Sequence, residues 1–240
     1  NAFIRNPYIL VYMDSNYEYG RHLLLLSFKT FLEKLDLPKI LNVSIVGGSN
    51  NEPELEVLKN LGYEINLTKY GIDDYDTFFD LNKKNDIKKI DIDLLICCNV
   101  LEHIWNIENF FDNIINLSQK NTLIYINCPK SNMEHGSPEY FSPGYAKEFL
   151  IKNLENKGLD ILEAGEVGTE RYYKSIHLIQ AWYTKKEVEA GYRFKEKSLI
   201  YKIKHLMKLY NLGHYLSLSR ASNDSNDSAF MTNSYIFAKK

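Results

Sequence analysis

The sequence predicts an α/β protein built around a doubly wound, mostly parallel β-sheet. Stretches with the apolar pattern of strands alternate along the chain with stretches that have the period of helices, which is the order expected of βα units. Two strand-like runs, residues 93–98 and 122–128, are apolar on both faces, as strands buried between two helical layers are. A glycine pair, Gly47-Gly48, separates the first strand from the helix after it. We expect seven strands, with a ligand site at their carboxyl ends.

The predicted core begins after an amphipathic helix. Residues 17–35 carry apolar side chains at helical spacing, and a β-branched apolar run then begins at residue 40 and ends at the glycines. Pro53 suits the first turn of the next helix, where its missing N–H costs nothing. The second and third strands are predicted at residues 63–70 and 77–82.

The second half of the core repeats this alternation and then breaks it. Helices are predicted at 107–117 and 146–157, and strands at 93–98, 122–128, 159–163 and 234–238. A long segment with its own basic amphipathic helix precedes the last strand. The chain is therefore divided into an N-terminal helical extension (1–39), a Rossmann-like core (40–168 and 229–240) and a helical insertion expected to cap the substrate (169–228).

Composition excludes several classes of function. The chain has 240 residues with a formal net charge of −2, which gives no sign of nucleic-acid binding. No apolar run approaches the roughly 20 residues of a membrane span, and no charged-then-apolar leader begins the sequence. The three cysteines, Cys97, Cys98 and Cys128, match neither a disulfide framework nor a zinc site. We expect a cytoplasmic protein with reduced thiols and no metal.

Glycines and polar residues follow several of the predicted strands. Because ligands bind beyond the carboxyl ends of the strands in such sheets, these positions are the candidate site. They are residues 47–51, 73–74, 80–82, 98–103 and 127–139.

Three of these segments resemble a known family. Residues 100–103 read Val-Leu-Glu-His, residues 79–82 read Phe-Asp-Leu-Asn, and an aromatic-rich stretch at 138–150 leads into a helix. In these features the chain resembles the class I S-adenosylmethionine-dependent methyltransferases, particularly the small-molecule branch with a Val-Leu-Glu-His signature. The match covers roughly residues 40–166 and 230–240. It implies a Rossmann-like core that binds S-adenosylmethionine and releases S-adenosylhomocysteine.

The resemblance also implies which residues contact the cofactor. Asp80 would accept a hydrogen bond from the adenine amino group. Asp73 would hold the ribose hydroxyls, since a carboxylate can accept two hydroxyl hydrogen bonds and the nearby Lys69 cannot. The full implied set is Gly47, Gly48, Ser49, Asn50, Asp73, Asp80, Leu81, Cys98, Asn99 and Val100.

Methyl transfer to a hydroxyl requires a base, and two histidines are candidates by position. His103 follows the fourth strand and His135 follows the fifth. His103 could instead be structural, and His135 could simply be exposed. We expect Glu102 and His103 to turn toward the cleft or toward solvent. The candidate substrate-binding residues are Glu139, Tyr140 and Tyr172.

Two functions from different classes follow. The first is a methyltransferase that O-methylates a small polar acceptor such as a sugar or a glycan precursor, acting as a monomer or homodimer. The second is a catalytically inactive methyltransferase-like binding or partner subunit. It is motivated by departures from the family pattern: Ile45 stands where an acidic residue is usual, and Ser49-Asn50-Asn51 replaces the end of the glycine loop. An oxidoreductase is disfavoured because the chain lacks a Gly-x-Gly-x-x-Gly turn.

Overall fold

The computed structural model of the chain describes residues 19–48, 52–72, 75–85, 90–132, 138–168, 173 and 231–240. These residues form four α-helices, one 3₁₀ turn and seven strands. In chain order they are α1 (Tyr19–Leu32), β1 (Ile40–Val46), α2 (Pro53–Asn60), β2 (Glu64–Gly71), β3 (Thr77–Phe78), β4 (Leu94–Cys98), the 3₁₀ turn (Leu101–His103), α3 (Ile107–Leu117), β5 (Leu123–Pro129), α4 (Lys147–Asn156), β6 (Asp160–Val167) and β7 (Asn233–Lys239).

The seven strands form one sheet in the order β3-β2-β1-β4-β5-β7-β6. Every pairing from β3 across to β5 is parallel, and β7 runs antiparallel between β5 and β6. The direction in which the chain adds strands reverses between β1 and β4. In a parallel sheet this switch point opens a crevice beyond the carboxyl ends of the two strands. The predicted doubly wound, mostly parallel sheet is confirmed.

The two faces of the sheet are covered by different helices. One face packs α1 and α2 against a cluster that includes Phe28, Phe31, Tyr125 and Phe237. The opposite face packs α3 and α4 against a second apolar cluster. Burial on both faces explains why β4 and β5 are apolar at nearly every position.

Two strands differ in length from their predictions. The third was predicted at residues 77–82, but β3 has only two residues, and the following segment is a loop. The sixth was predicted at residues 159–163, but β6 extends to Val167 because β7 pairs with it as far as Asn233. Among the described residues, no helix is both long enough and apolar enough to cross a membrane.

Candidate functional site

The glycine turn after β1 leaves no space for a side chain. Gly47 has φ +73°, and its N–H donates to the carbonyl of Tyr70 on β2 over 2.8 Å. A Cβ at Gly47 would lie 2.7 and 2.9 Å from the two γ-carbons of Val100. A Cβ at Gly48 would lie 2.9 Å from a carboxylate oxygen of Glu52. The backbone of this turn is therefore packed tightly between the segment after β4 and the start of α2.

A second left-handed residue stands at the neighbouring strand end. Asn99, directly after β4, has φ +51°, and its N–H donates to the carbonyl of Asn127 over 3.0 Å. Asparagine is one of the few non-glycine residues that tolerate this conformation. Asn99 is exposed, whereas Cys98 and Val100 on either side of it are buried. Gly47 and Asn99 thus give the switch point two sharp turns side by side.

His103 is held in a defined orientation at the edge of this crevice. Its Nδ1 contacts the backbone carbonyl of Glu139, and its ring lies 6.1 Å from that of Tyr140. A carbonyl can only accept, so the Nδ1 atom carries the proton and Nε2 is the acceptor nitrogen of the neutral ring. The His103 side chain is 28% exposed. This arrangement presents a basic nitrogen at the carboxyl edge of the sheet.

Glu102 does not turn outward as expected. It is 1% exposed and lies near Cys97 and Cys128 on the α3 face of the sheet, where burial of the thiols, followed by the Glu102 charge, raises the pKa values of both cysteines. The reason lies in the 3₁₀ turn, which sends Glu102 inward and His103 to the surface. The Glu102 Oε1 atom remains 4.0 Å from His103 Nε2.

The segment after β5 is docked onto this turn by its backbone. The N–H groups of Phe141 and Ser142 donate to the Glu102 carbonyl over 2.9 and 3.2 Å. The Tyr140 hydroxyl donates to the carbonyl of Asn132 over 2.9 Å. The structure therefore brings the predicted residues Glu139 and Tyr140 next to His103.

Asp80 and Leu81 lie in the loop after β3. Asp80 is mostly buried and serves its own loop, since its Oδ1 accepts from the Asn82 N–H over 3.0 Å and its Oδ2 lies 3.0 Å from Lys83 Nζ. Leu81 is buried. Side-chain amides of Asn82, Asn109 and Asn113 bind this loop to α3 and the residues directly before it, and the Asn85 amide donates within the loop. These contacts were not predicted from the sequence.

A buried carboxylate beside the glycine turn was also missed. Glu54, in the first turn of α2, is fully buried, and its Oε1 accepts from Cys98 Sγ over 3.3 Å and from Asn127 Nδ2 over 3.4 Å. A carboxyl oxygen of Glu52, a carboxyl oxygen of Glu54 and the Cys98 Sγ atom all lie within 4.8 Å of one another. Two carboxyl groups and a thiol therefore lie together where β1, β4 and β5 end.

Several predicted site residues lie outside the described residues. They are Ser49, Asn50, Asp73, His135 and Tyr172, together with nearly all of the insertion at 169–228. The strand that precedes Asp73 does run past Lys69 and ends at Gly71. Lys69 is accordingly a residue within β2, paired with Ile45 of β1.

The buried thiols lead to a first testable expectation. Burial, reinforced by the Glu102 charge, raises the pKa of Cys97 well above its usual value, and burial also raises that of Cys128. Because the thiolate is the reactive form, neither should react with a disulfide reagent such as DTNB at pH 8 in the native protein. All three cysteines should react after unfolding in guanidinium. Rapid labelling of Cys97 or Cys128 under native conditions would contradict the closed packing of the sheet.

Comparison with known proteins identifies the fold. No protein-family model and no curated protein matches the sequence. Among solved structures, the [4+2]-cyclase SpnF superposes with a TM-score of 0.52 at 13% identity, covering 90% of this chain and 81% of that one. Coclaurine N-methyltransferase bound to N-methylheliamine and SAH gives a TM-score of 0.52 at 8% identity, covering 94% and 74%.

A third similar structure is phosphoethanolamine N-methyltransferase 2 from Haemonchus contortus in complex with S-adenosyl-L-methionine. Its TM-score is 0.51 at 11% identity, with 90% of this chain and 52% of that protein covered, so this chain spans about half its length. At these identities the likeness establishes the fold alone, which this chain shares with these two solved methyltransferases and with the [4+2]-cyclase.

Proposed function

We propose that this chain is an S-adenosylmethionine-dependent methyltransferase that methylates a hydroxyl of a small polar acceptor. A sugar, a glycan precursor or a phosphorylated form of one is the acceptor class that we propose. The observation that carries the proposal is the position of His103, whose tautomer is set by the Glu139 carbonyl at the edge of the crevice. A histidine held in this way suits proton removal from a hydroxyl.

The residues at the strand ends fit the cofactor. S-adenosylmethionine supplies an activated methyl group on a sulfonium when it is bound. The turn at Gly47 and Gly48 carries no side chain that could obstruct a ligand at the end of β1, and the Glu52 carboxylate beside it favours a ligand that carries positive charge. We assign the adenine end to Asp80 and Leu81, and the methionine end to Gly47, Gly48, Cys98, Asn99 and Val100. Ser49, Asn50 and Asp73 complete the proposed set.

His103 is the proposed base. With the cofactor bound, the methyl–sulfonium bond would break as the acceptor oxygen takes the methyl group, releasing S-adenosylhomocysteine. The acceptor's hydroxyl proton would pass to His103 Nε2, while Nδ1 would keep its hydrogen bond to the Glu139 carbonyl. The imidazolium that forms lies near the buried Glu102 carboxylate, which stabilises its charge. His135 remains the alternative base. Holding the acceptor in line with the methyl group is the larger part of catalysis in such a reaction.

The acceptor is proposed to bind next to His103. Glu139 and Tyr140 are the described residues suited to contact it, and Tyr172 with the insertion at 169–228 is proposed to cap it. We propose that the chain acts as a monomer or as a homodimer.

The altered glycine loop favours one rival. A methyltransferase-like binding or partner subunit would keep the fold and need no cofactor, and Ile45 with Ser49-Asn50-Asn51 departs from the usual loop. The two functions differ in whether the cofactor product binds. The solved [4+2]-cyclase with this fold also shows that the fold alone does not set the reaction.

Calorimetric titration with S-adenosylhomocysteine tests the proposal. We expect the wild type to bind and Asp80→Ala to lose about 1–3 kcal/mol of binding free energy, through loss of the acceptor for the adenine amino group. Lys83→Ala is the matched control, because it removes only the ion pair between the exposed Lys83 and Asp80 and should leave the affinity unchanged. A screen of hydroxylated acceptors for methyl transfer would follow.

Two results would redirect the assignment. No binding to the wild type would favour the partner-subunit function. Wild-type affinity in Asp80→Ala would place the adenine end elsewhere.

A further inference from the structure

An asparagine network joins the loop after β3 to the start of α3. Its members are Asn82, Asn85, Asn106, Asn109 and Asn113. Asn106, Asn109 and Asn113 are spaced by three and four residues, so they share one face of the helical turn region. Most of their bonds reach backbone groups of the facing segment. The network therefore fixes the path of a loop rather than the packing of a core.

Asn113 binds the loop after β3 from its buried position on α3. It is 1% exposed, and its Nδ2 donates to the carbonyls of Lys83 and Leu81 over 2.7 and 3.3 Å. Its Oδ1 accepts from the Asn85 N–H over 3.3 Å. Because backbone carbonyls accept and backbone N–H groups donate, these partners determine which end of the amide is which. Asn113 acts on this loop mainly as a donor.

Asn82 connects the same loop to the His103 segment. Its Oδ1 accepts from the N–H groups of Trp105 and Asn106 over 3.0 and 3.1 Å. Its backbone carbonyl accepts from Asn109 Nδ2 over 2.8 Å. Asn82 therefore uses its side chain as an acceptor only in these contacts. The His103 turn is consequently held on one side by the Glu139 carbonyl and on the other by Asn82.

We propose that Asn82 and Asn113 are positioning residues that hold the adenine end of the cofactor site and couple it to the His103 turn. Asn113 fixes the position of the segment that carries Asp80 and Leu81 through its hydrogen bonds to the Leu81 and Lys83 carbonyls. Asn82 links that segment to the residues directly after His103 through its hydrogen bonds to the Trp105 and Asn106 N–H groups. This inference rests on the proposed function, because it assumes that the loop after β3 receives the adenine.

The opposite hydrogen-bonding roles give a sharp test. Asn82→Asp replaces the amide oxygen with a carboxylate oxygen, which can still accept from the two N–H groups. The S-adenosylhomocysteine affinity should therefore stay within about twofold of the wild type. Asn113→Asp replaces an amide donor with an acceptor facing two carbonyls, and the affinity should fall about tenfold or more. Asn82→Ala removes the acceptor shared by the Trp105 and Asn106 N–H groups, and S-adenosylhomocysteine binding should weaken about fivefold.

Three measurements separate positioning from general loss of stability. Calorimetry gives the affinity, the melting temperature gives stability, and amide hydrogen exchange at residues 81–83 and 105–106 reports the loop and the His103 segment without any ligand. Ser118→Ala, directly after the C-terminal end of α3, is the control, since it removes a buried hydroxyl that donates to the Ile114 carbonyl in the last turn of the helix and not to the loop. It should lower the melting temperature without changing affinity or exchange at these amides.

The outcomes distinguish this inference from the proposed function. Faster exchange at 105–106 in Asn82→Ala but not in Asn82→Asp, with the affinity order given above, supports the inference. If the wild type binds and the Asp and Ala variants at position 82 behave alike, the inference is wrong and the proposed function stands. If the wild type does not bind S-adenosylhomocysteine, both are overturned. Should Asn113→Asp fail to fold, the comparison at the half-buried Asn82 still decides.

Discussion

His103→Ala is expected to lower kcat by about 10²–10⁴-fold, the usual contribution of a general base, while S-adenosylhomocysteine affinity and melting temperature stay nearly unchanged. The His103 side chain is partly exposed, so its removal should cost little stability. The cofactor contacts that we propose lie on other residues. Steady-state kinetics on a responsive acceptor, with calorimetry and a thermal melt on the same samples, make the measurement.

His103→Asn sharpens this test. The asparagine side-chain amide can donate to the Glu139 carbonyl in place of Nδ1 but offers no basic nitrogen. If His103 is the base, both variants should lose the rate alike. If His103 only orients the loop after β5, Asn should restore most of the activity that Ala loses. Loss of stability with normal turnover per folded molecule would make His103 structural, and His135 would become the base to test.

Most of the sheet could be predicted because the local sequence of each strand carries the apolar pattern of a buried strand. β4 and β5 are apolar throughout, and the predicted helix over 107–117 coincides with α3. The third strand was predicted too long because residues 79–82, Phe-Asp-Leu-Asn, alternate between apolar and polar side chains as a strand does. There the asparagine network supplies the hydrogen bonds that a strand partner would have supplied. β6 was predicted too short because its extension depends on β7, about 70 residues further along the chain.

The site was less predictable because its side-chain directions depend on distant contacts. Glu102 and His103 are adjacent polar residues, and only the 3₁₀ turn decides which one is buried. A glutamate in the first turn of a helix is ordinarily solvated, so the complete burial of Glu54 depends on Cys98 and Asn127 arriving from two other strands. The asparagine spacing on α3 was a usable signal, because three amides on one helix face require partners.

Gly47→Ala is expected to be the most disruptive single substitution in the glycine turn. A left-handed backbone with a Cβ costs about 1–2 kcal/mol in unfolding free energy, and forcing a methyl group against a packed neighbour adds about 1–3 kcal/mol. The neighbour is Val100, whose γ-carbons would lie 2.7 and 2.9 Å from the new Cβ. Because the turn also borders the proposed methionine end of the cofactor, S-adenosylhomocysteine affinity should fall as well.

The chain offers a matched control and a rescue for this prediction. Gly62 has a similar left-handed backbone, φ +88°, but nothing lies within 4 Å of its Cβ position, so Gly62→Ala should show the backbone cost alone and unchanged cofactor affinity.

Adding Val100→Ala to Gly47→Ala removes both clashing carbons and leaves the Cβ of residue 100 at an ordinary 3.4 Å. Denaturant unfolding of the wild type, Gly47→Ala, Val100→Ala and the double variant closes a double-mutant cycle, and a favourable coupling of about 1–3 kcal/mol is expected. Equal losses at Gly47 and Gly62, with no coupling to Val100, would mean that the glycine turn and the segment after β4 are not packed against each other. The proposed cofactor site would then lack the packing between Gly47 and Val100 that joins the ends of β1 and β4.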